Sequence, residues 1–370
     1  MSPPGRPKGE YRKAQPEGGL VSPPALSVAG ARVAIVLLNW NNGRDTVNCL
    51  ESVLRLQGVP FTVVVCDNQS TDDSLALMRA WAANGSGTGD VAGPLGPPAA
   101  PLPRPVAWQE WQHRAGEPFA ADQPIADHAV HLVHTGGNLG FAGGCNVGMR
   151  WALQWSGCSH VWLLNNDTVV HPDALARLLA RAEAADHPDM VGSLLVYHDE
   201  PQRIQCLGGG RLHRRSSTSS HLGEGLSLAE ARAASGPAVE AQMDYVVGAS
   251  LLVRRDFIAR VGLLEEDYFL YYEELDWAER GRRSAQGLRL GFAPDSLVYH
   301  KVGATAGTHR RSCHSLRYLY RSRLMYTRRF ARAMLPAVRL AALWDATKLM
   351  LKGRPDAASA VLSAATARLS

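Results

Sequence analysis

Three apolar runs of strand length each stop on a cluster of Asn and Asp, and this punctuation constrains the fold more than any other feature of the chain. Val33-Ala-Ile-Val-Leu-Leu38 ends on Asn39-Trp40-Asn41-Asn42-Gly43, Phe61-Thr-Val-Val-Val-Cys66 on Asp67-Asn68-Gln69-Ser70-Thr71-Asp72, and Val161-Trp-Leu-Leu164 on Asn165-Asn166-Asp167. Unbroken apolarity marks strands buried on both faces. Between the first two runs lies a helical pattern with Val47, Leu50, Val53 and Leu54 on one side and Asp45 as a cap; Ser70 or Thr71 caps the next helix, through about Ala83. Strand, helix, strand, helix implies a parallel sheet with right-handed crossovers. The polar ends then converge on one edge, where ligands bind in open α/β sheets. A single Asn/Asp triplet is an ordinary turn, but three aligned ends mark a nucleotide-sized crevice.

The pattern is interrupted once. Residues 85–124 are rich in Gly, Pro and Ala, with Trp108 and Trp111 as isolated aromatics, and read as an inserted, partly disordered loop. Strand character resumes at Val130-His-Leu-Val-His134. The Gly-rich stretch Gly136–Gly144 and a helix from Cys145 to Trp155 follow. A second half runs through Met190–Tyr197, a Ser/Gly-rich loop near 208–226, a strand at Tyr245–Val253, a helix near Asp256–Val261, the acidic segment Glu265–Glu279, and strands at Leu288–Phe292 and Leu297–His300.

With 370 residues, 46% of them hydrophobic, the chain can bury a large core. Its six Cys form no C-x-x-C pair, which signals neither a disulfide framework nor a Cys metal site and fits a reduced, cytoplasmic setting. Residues 1–30 are rich in Pro, Gly and charge, lack the apolar core of a signal peptide, and read as a disordered tail. Ala333 to Leu351 is apolar, yet Pro336, Arg339, Asp345 and Lys348 oppose a spanning helix, so membrane contact is expected to be peripheral, at the inner face. The net charge is only +5, but Arg310, Arg317, Arg321, Arg328 and Arg332 recur at helical spacing, with Leu316, Leu319, Tyr326 and Phe330 largely on other faces. Such a helix, within 309–332, suits anionic headgroups or the pyrophosphate of a lipid-linked acceptor. No nucleic-acid module accompanies the charge, so nucleic acid is not expected as a partner.

In order and spacing the chain resembles the family 2 glycosyltransferases, inverting enzymes of the GT-A fold, and among them the rhamnosyltransferase-like bacterial members. The resemblance rests on Ala34-Ile-Val-Leu-Leu-Asn-Trp-Asn41, Val65-Cys-Asp-Asn-Gln-Ser-Thr-Asp72, Asn138-Leu-Gly-Phe-Ala-Gly-Gly-Cys-Asn146, Leu163-Leu-Asn-Asn-Asp167, Gly248-Ala249, Tyr268-Phe-Leu-Tyr-Tyr-Glu-Glu-Leu-Asp276 and Val298-Tyr-His-Lys-Val-Gly303, and covers residues 31–303. It implies a Rossmann-like, mixed but mainly parallel sheet flanked by helices, with 304–370 as a basic helical C-terminal extension. By the same resemblance, Trp40, beside Asn39, stacks on the nucleobase and Asp67 hydrogen-bonds its edge. Asn138 and Asn146 sit near the nucleotide or donor sugar. Asn165-Asn166-Asp167 fills the Asp-x-Asp position, with Asn165 where many relatives carry Asp. Asp167 and His300 would then hold a divalent cation, Mg²⁺ or Mn²⁺, against the donor diphosphate, since oxygen ligands suit these ions and phosphates complete the shell. Glu274 aligns with the general base, where many relatives have Asp.

The activity so implied is metal-dependent, inverting transfer of a sugar, rhamnose from dTDP-rhamnose, from a nucleotide-diphosphate donor to a hydroxyl of a cell-surface glycan or lipid-linked acceptor. A non-catalytic sugar-nucleotide or glycan-binding protein with a degenerate site is the alternative, motivated by Asn165. Gly137, Gly140 and Gly143 mimic a dinucleotide fingerprint but lack its tight G-x-G start. Asn39 to Arg44 holds one Gly and no Lys, unlike the phosphate loop of a nucleotidyltransferase.

Overall fold

The computed structural model describes residues 31–86, 93–98, 100–119, 125–301 and 312–368. The tail at 1–30, parts of 85–124, Arg310 and the end of the Val298–Gly303 motif lie outside the described residues. The chain opens with β1 (Arg32–Asn39), α1 (Gly43–Val53), β2 (Phe61–Asp67) and α2 (Ser74–Asn84). There follow β3 (Trp108–Gln112), β4 (Val130–His134), α3 (Gly140–Gln154), β5 (Cys158–Asn165), β6 (Thr168–Val170), α4 (Ala174–Ala182) and β7 (Met190–Tyr197). A smaller antiparallel region comprises β8 (Ile204–Leu207), β9 (Gly209–His213), β10 (Thr218–His221), α5 (Leu228–Ala233), α6 (Gly236–Glu240) and β11 (Tyr245–Val246). It leads into β12 (Ser250–Arg254), α7 (Arg255–Val261), α8 (Glu273–Arg283) and β13 (Leu290–His300). Three helices, α9 (Cys313–Phe330), α10 (Leu335–Leu351) and α11 (Pro355–Thr366), come last.

The large sheet has the order β3-β4-β2-β1-β5-β12-β7-β13-β6, with β8 paired to β7. β3, β4, β2, β1 and β5 are mutually parallel, β12 runs antiparallel between β5 and β7, and β13 is parallel to β7. The sheet is thus mixed and mainly parallel, flanked by helices. Both faces of β1 are covered: Val33, Ile35 and Leu37 join the core that holds Val47, Leu50 and Trp81, whereas Ala34 and Val36 join the one that holds Val147 and Trp151. Two-sided burial is why these strands read as unbroken apolar runs.

Several expectations need correction. The 85–124 insertion contains an edge strand, β3, which is paired in parallel with β4. Its sequence, Trp-Gln-Glu-Trp-Gln, is too polar to announce a strand; Glu110 on it accepts two hydrogen bonds from Arg79, both 2.7 Å, and Trp111 donates to His131 at 3.1 Å. Asp45 does not cap α1: that helix starts after Asn42, and Asp45 pairs with Lys301 at 2.6 Å. Asp73, not Ser70 or Thr71, precedes α2. The run Tyr245–Val253 divides into two strands around Val247–Ala249 and enters two different sheets. Conversely, the two runs at 288–300 form one strand with a register shift between Ala293 and Leu297, around Pro294.

On α3, glycines let the helix lie close to the sheet. A Cβ on Gly148 would fall 2.5 Å from Val36 Cγ1 and 2.8 Å from Cys66 Sγ, both buried. Gly148→Ala is therefore expected to destabilise the fold by about 1–3 kcal/mol, measured as a lower urea midpoint with unchanged slope. A variant as stable as the parent would show that α3 can retreat from the sheet without loss.

Candidate active site

The strand register delivers the polar ends side by side. Asn39 is the lateral partner of Asp67, and Leu38 that of Asn165, so the ends of β2, β1 and β5 form one continuous edge. A buried hydrogen-bond relay runs beneath it. Asn166 Nδ2 donates to Thr46 Oγ1 (2.8 Å), Thr46 Oγ1 to Asn39 Oδ1 (2.8 Å), and Asn39 Nδ2 to Asp67 Oδ1 (2.9 Å). Ser70 adds its hydroxyl to Asp67 Oδ1 (2.7 Å) and its backbone N–H to Asp67 Oδ2 (3.0 Å). Asn39 has no exposed surface and its amide is fully engaged. It thus holds Asp67 in place, with both amide hydrogens donated, to Asp67 Oδ1 and Ser70 Oγ. Asn166 is likewise committed to Thr46. Trp40, by contrast, is 38% exposed at the rim beside Asp67 and offers an open ring face.

The expected metal pair is in contact. β13 ends at His300, whose Nε2 lies 3.1 Å from Asp167 Oδ1 and 3.3 Å from Asn165 Nδ2, while its Nδ1 faces Gln205 Oε1 at 2.9 Å. Gln205 Oε1 can only accept, so it fixes a proton on Nδ1. On a neutral ring the Nε2 lone pair then faces the Asp167 carboxylate and the Asn165 amide. This donor set, one imidazole nitrogen held by an outer hydrogen bond and one carboxylate, fits a divalent ion. Burial raises the Asp167 pKa, but His300 and Lys301 outweigh it and hold the carboxyl below its ordinary value. Among the described residues no cluster of three or more His, Cys, Asp or Glu is placed to hold a metal. A divalent ion at this place would find two protein ligands, with the rest of its shell left to other groups.

Two acids stand at the start of α8. Tyr271 and Tyr272 precede it with φ of +68° and +74°, a left-handed pair without glycine. Each such residue costs about 1–3 kcal/mol and persists only where its surroundings force it. Here the Tyr272 hydroxyl donates to Ser217 O, that of Tyr271 meets Ser315 Oγ on α9, and Ser322 on α9 donates to Leu270 O at 2.9 Å. The backward bend places Glu274 Oε1 4.0 Å from the position of a Cβ on Gly248, next to Ala249, whose carbonyl accepts from Asn165 N at 3.0 Å. The acid therefore lies beside the strand end that leads to Asp167. Burial pushes the Glu274 carboxyl up to about 7, and burial together with the neighbouring Glu274 pushes Glu273 well above its ordinary range. Asp276, the third acid, is bound by Arg280 and Arg329 and is structural.

The expected donor contacts on α3 divide. Asn138 is exposed at the helix start, accepting from Gly140 N at 3.1 Å. Asn146 is buried and clamps Leu264, donating to its carbonyl at 2.9 Å and accepting from its N–H at 3.0 Å. Residues missed by sequence reasoning are Thr46, Ser70, Gln205 and Lys301. Lys301 stood inside a quoted motif and could have been found, since it shares its strand end with His300. Gln205 had no signal, because it reaches His300 from a strand 95 residues away in sequence.

Comparison with known proteins gives a consistent account. The family model described as Glycosyl transferase family 2 matches residues 117–209. The low-salt glycan biosynthesis hexosyltransferase Agl10 of Haloferax volcanii is 24% identical over 157 residues, 42% of this chain and 47% of that protein. An N-acetylglucosaminyl-diphospho-decaprenol L-rhamnosyltransferase of Mycobacterium tuberculosis is 25% identical over 235 residues, 55% of this chain and 70% of that protein. A galactofuranosyltransferase, GlfT2 of Mycolicibacterium smegmatis, is 31% identical over 25% of this chain and 15% of its own length. The chain thus spans about half the length of the hexosyltransferase and a small part of the galactofuranosyltransferase. Among solved structures, the mannosyltransferase PcManGT from Pyrobaculum calidifontis, in complex with GDP-Man and Mn²⁺, aligns with 91% of this chain and 76% of its own at 16% identity and a TM-score of 0.49.

The two buried acids yield a stability prediction. A carboxyl whose folded pKa is raised is protonated on folding, so its burden is absent below about 4.5, the ordinary value, and grows as pH rises above it. Glu273→Gln, which mimics the neutral form, is expected to raise the stability at pH 8 by roughly 1–3 kcal/mol and to leave it unchanged at pH 4. Thermal unfolding at the two pH values measures this; a gain that is equal at both would contradict a charge origin.

Proposed function

We infer that this chain, which belongs to glycosyltransferase family 2, moves a sugar from a nucleotide-diphosphate donor to an acceptor hydroxyl with inversion at the anomeric carbon. The observation that carries the reading is the Asp167–His300 pair placed beside a strained helix start bearing Glu274. In the reaction, Trp40 stacks on the base and Asp67, held by Asn39 and Ser70, accepts from its edge. Asp167 and His300 hold a divalent cation whose positive charge offsets the charge that collects on the departing diphosphate. Lys301, whose ammonium is paired with Asp45, fixes the Asp167 backbone by donating its N–H to Asp167 O at 3.0 Å. Glu274 takes the proton of the acceptor hydroxyl as its oxygen bonds to the anomeric carbon and the bond to the diphosphate breaks. A carboxyl held near 7 is a competent base at neutral pH, whereas an ordinary one is weaker.

The proposed donor is dTDP-rhamnose and the proposed acceptor a lipid-linked or cell-surface glycan, a reading supported by the similarity to the M. tuberculosis rhamnosyltransferase. One observation favours the alternative of a sugar-nucleotide binder without turnover: Asn165 is uncharged and its buried Oδ1 has no hydrogen-bond partner. Turnover separates the two.

Glu274→Gln is expected to abolish transfer while donor affinity, read by calorimetry with Mn²⁺, changes less than about threefold. In the parent, kcat/KM should climb as pH rises through about 7, because the base works only when deprotonated. Turnover by the Gln variant, or a limb at the ordinary carboxylate pKa, would remove Glu274 from this role. Asp167→Asn should lose the thermal protection that Mn²⁺ confers together with the nucleotide donor, and Trp40→Ala should weaken donor binding about 10- to 100-fold. Undiminished protection in Asp167→Asn would refute the metal assignment.

A further inference from the structure

The last three helices bury one face of α10 and leave the opposite one bare. Val338, Ala342 and Ala346, four residues apart, pack inward, with Ala342 and Ala346 against Val361 and Ala365 of α11. Asp345 on the inner side accepts from the Tyr320 hydroxyl of α9 at 3.0 Å. Turned half a circle from these, Leu340, Trp344 and Leu351 are 66%, 59% and 81% exposed. Exposed Pro336, Ala337 and Thr347 complete the same stripe, which runs the length of a 17-residue helix, about 26 Å. The buried side is built of small residues and the exposed side of large apolar ones, the reverse of an ordinary surface helix. The stripe contains no acid. Exposed Arg332, Lys348 and Lys352 border it, and Lys348 Nζ sits 5.6 Å from the Trp344 ring.

We propose that this stripe docks the protein on an anionic lipid surface, with Leu340, Trp344 and Leu351 entering the headgroup boundary. Charge complementarity selects this occupant. Residues 312–368 carry eleven Lys and Arg against two acids, a surplus of nine, whereas the whole chain has a surplus of only five; the remaining residues are therefore net acidic. An anionic bilayer attracts this unit and repels the rest, which orients the approach. A second copy of the chain suits the stripe poorly, because a twofold contact would oppose the cations of one α10 to those of the other. The apolar side chains add what cations alone lack, namely a contact that survives salt. Among the described residues no helix is long and apolar enough to cross a membrane, so the contact is interfacial. The docked unit also carries α9, whose Tyr318 stacks on Phe269 at 4.5 Å, beside the loop that presents Glu274. The inference shifts the membrane contact from the Arg face of α9 to α10 and does not depend on which sugar is moved.

The test uses the full chain and vesicles of phosphatidylglycerol and phosphatidylcholine. The parent should sediment with the anionic vesicles, retain a measurable fraction in 0.5 M NaCl, where the screening length falls to roughly 4 Å, and bind pure phosphatidylcholine weakly. A Leu340→Ser, Trp344→Ser, Leu351→Ser triple variant should lose about tenfold or more of its partitioning, with an unchanged melting temperature because all three sites are exposed. Parent-like binding by that variant would overturn the proposal. So would binding abolished by salt and indifferent to the triple substitution, or a dimer in sedimentation equilibrium that the substitutions dissolve while neither protein binds vesicles.

Discussion

The lateral registration of β1 between β2 and β5 is the constraint on which the rest of the crevice depends. Asn39 opposite Asp67 and Leu38 opposite Asn165 set three strand ends at one height. A slip of one residue would invert every side chain, sending Val33, Ile35 and Leu37 from one core to the other. Register is therefore secured by the packing of both faces, and the polar edge inherits its precision from the apolar interior. The relay from Asn166 through Thr46 and Asn39 to Asp67 then converts that registration into a fixed carboxylate orientation. None of these groups could be satisfied separately, since buried amides and hydroxyls without partners are costly.

A second structure is built over this edge from the other half of the chain. Here stability and chemistry conflict. Two adjacent glutamates start α8, both with a buried carboxylate oxygen lacking a partner, after two tyrosines in left-handed backbone. The positive end of the helix favours negative charge there, yet burial dominates and raises both pKa values. What sustains the arrangement is α9: its Ser315 and Ser322 grip the tyrosine loop, and Arg329 neutralises Asp276 and reaches Glu265. The C-terminal helices are thus part of the site's support.

How much of this was legible in sequence followed a physical rule. Elements buried on both faces, such as β1, β2 and β5, announce themselves because nothing else requires unbroken Val, Ile and Leu. The family resemblance extended that to Trp40, Asp67, Asp167, His300 and Glu274, of which Asp167 and His300 are in direct contact. Illegible were features set by partners distant in sequence. β3 exists because β4 offers an edge and Arg79 and His134 offer hydrogen-bond partners to Glu110; its own residues would suit a loop equally well. Only three-dimensional accounting shows that the amide of Asn39 reaches Asp67 and that of Asn146 reaches Leu264. Gln205 arrives from β8, which no motif connects to His300.

The C-terminal helices show where the same reasoning inverts. An apolar stretch from Ala333 to Leu351 is too interrupted by Pro336, Arg339, Asp345 and Lys348 to span a bilayer, and its hydrophobicity would ordinarily be assigned to a core. The core it joins is lined by alanines, which need little space and supply little burial. Larger residues at Leu340, Trp344 and Leu351 were available to fill that interior and instead face outward. In a chain that otherwise sorts size and polarity consistently, apolar bulk on the solvent side of a cation-bordered helix is most simply understood as matched to a surface outside the molecule.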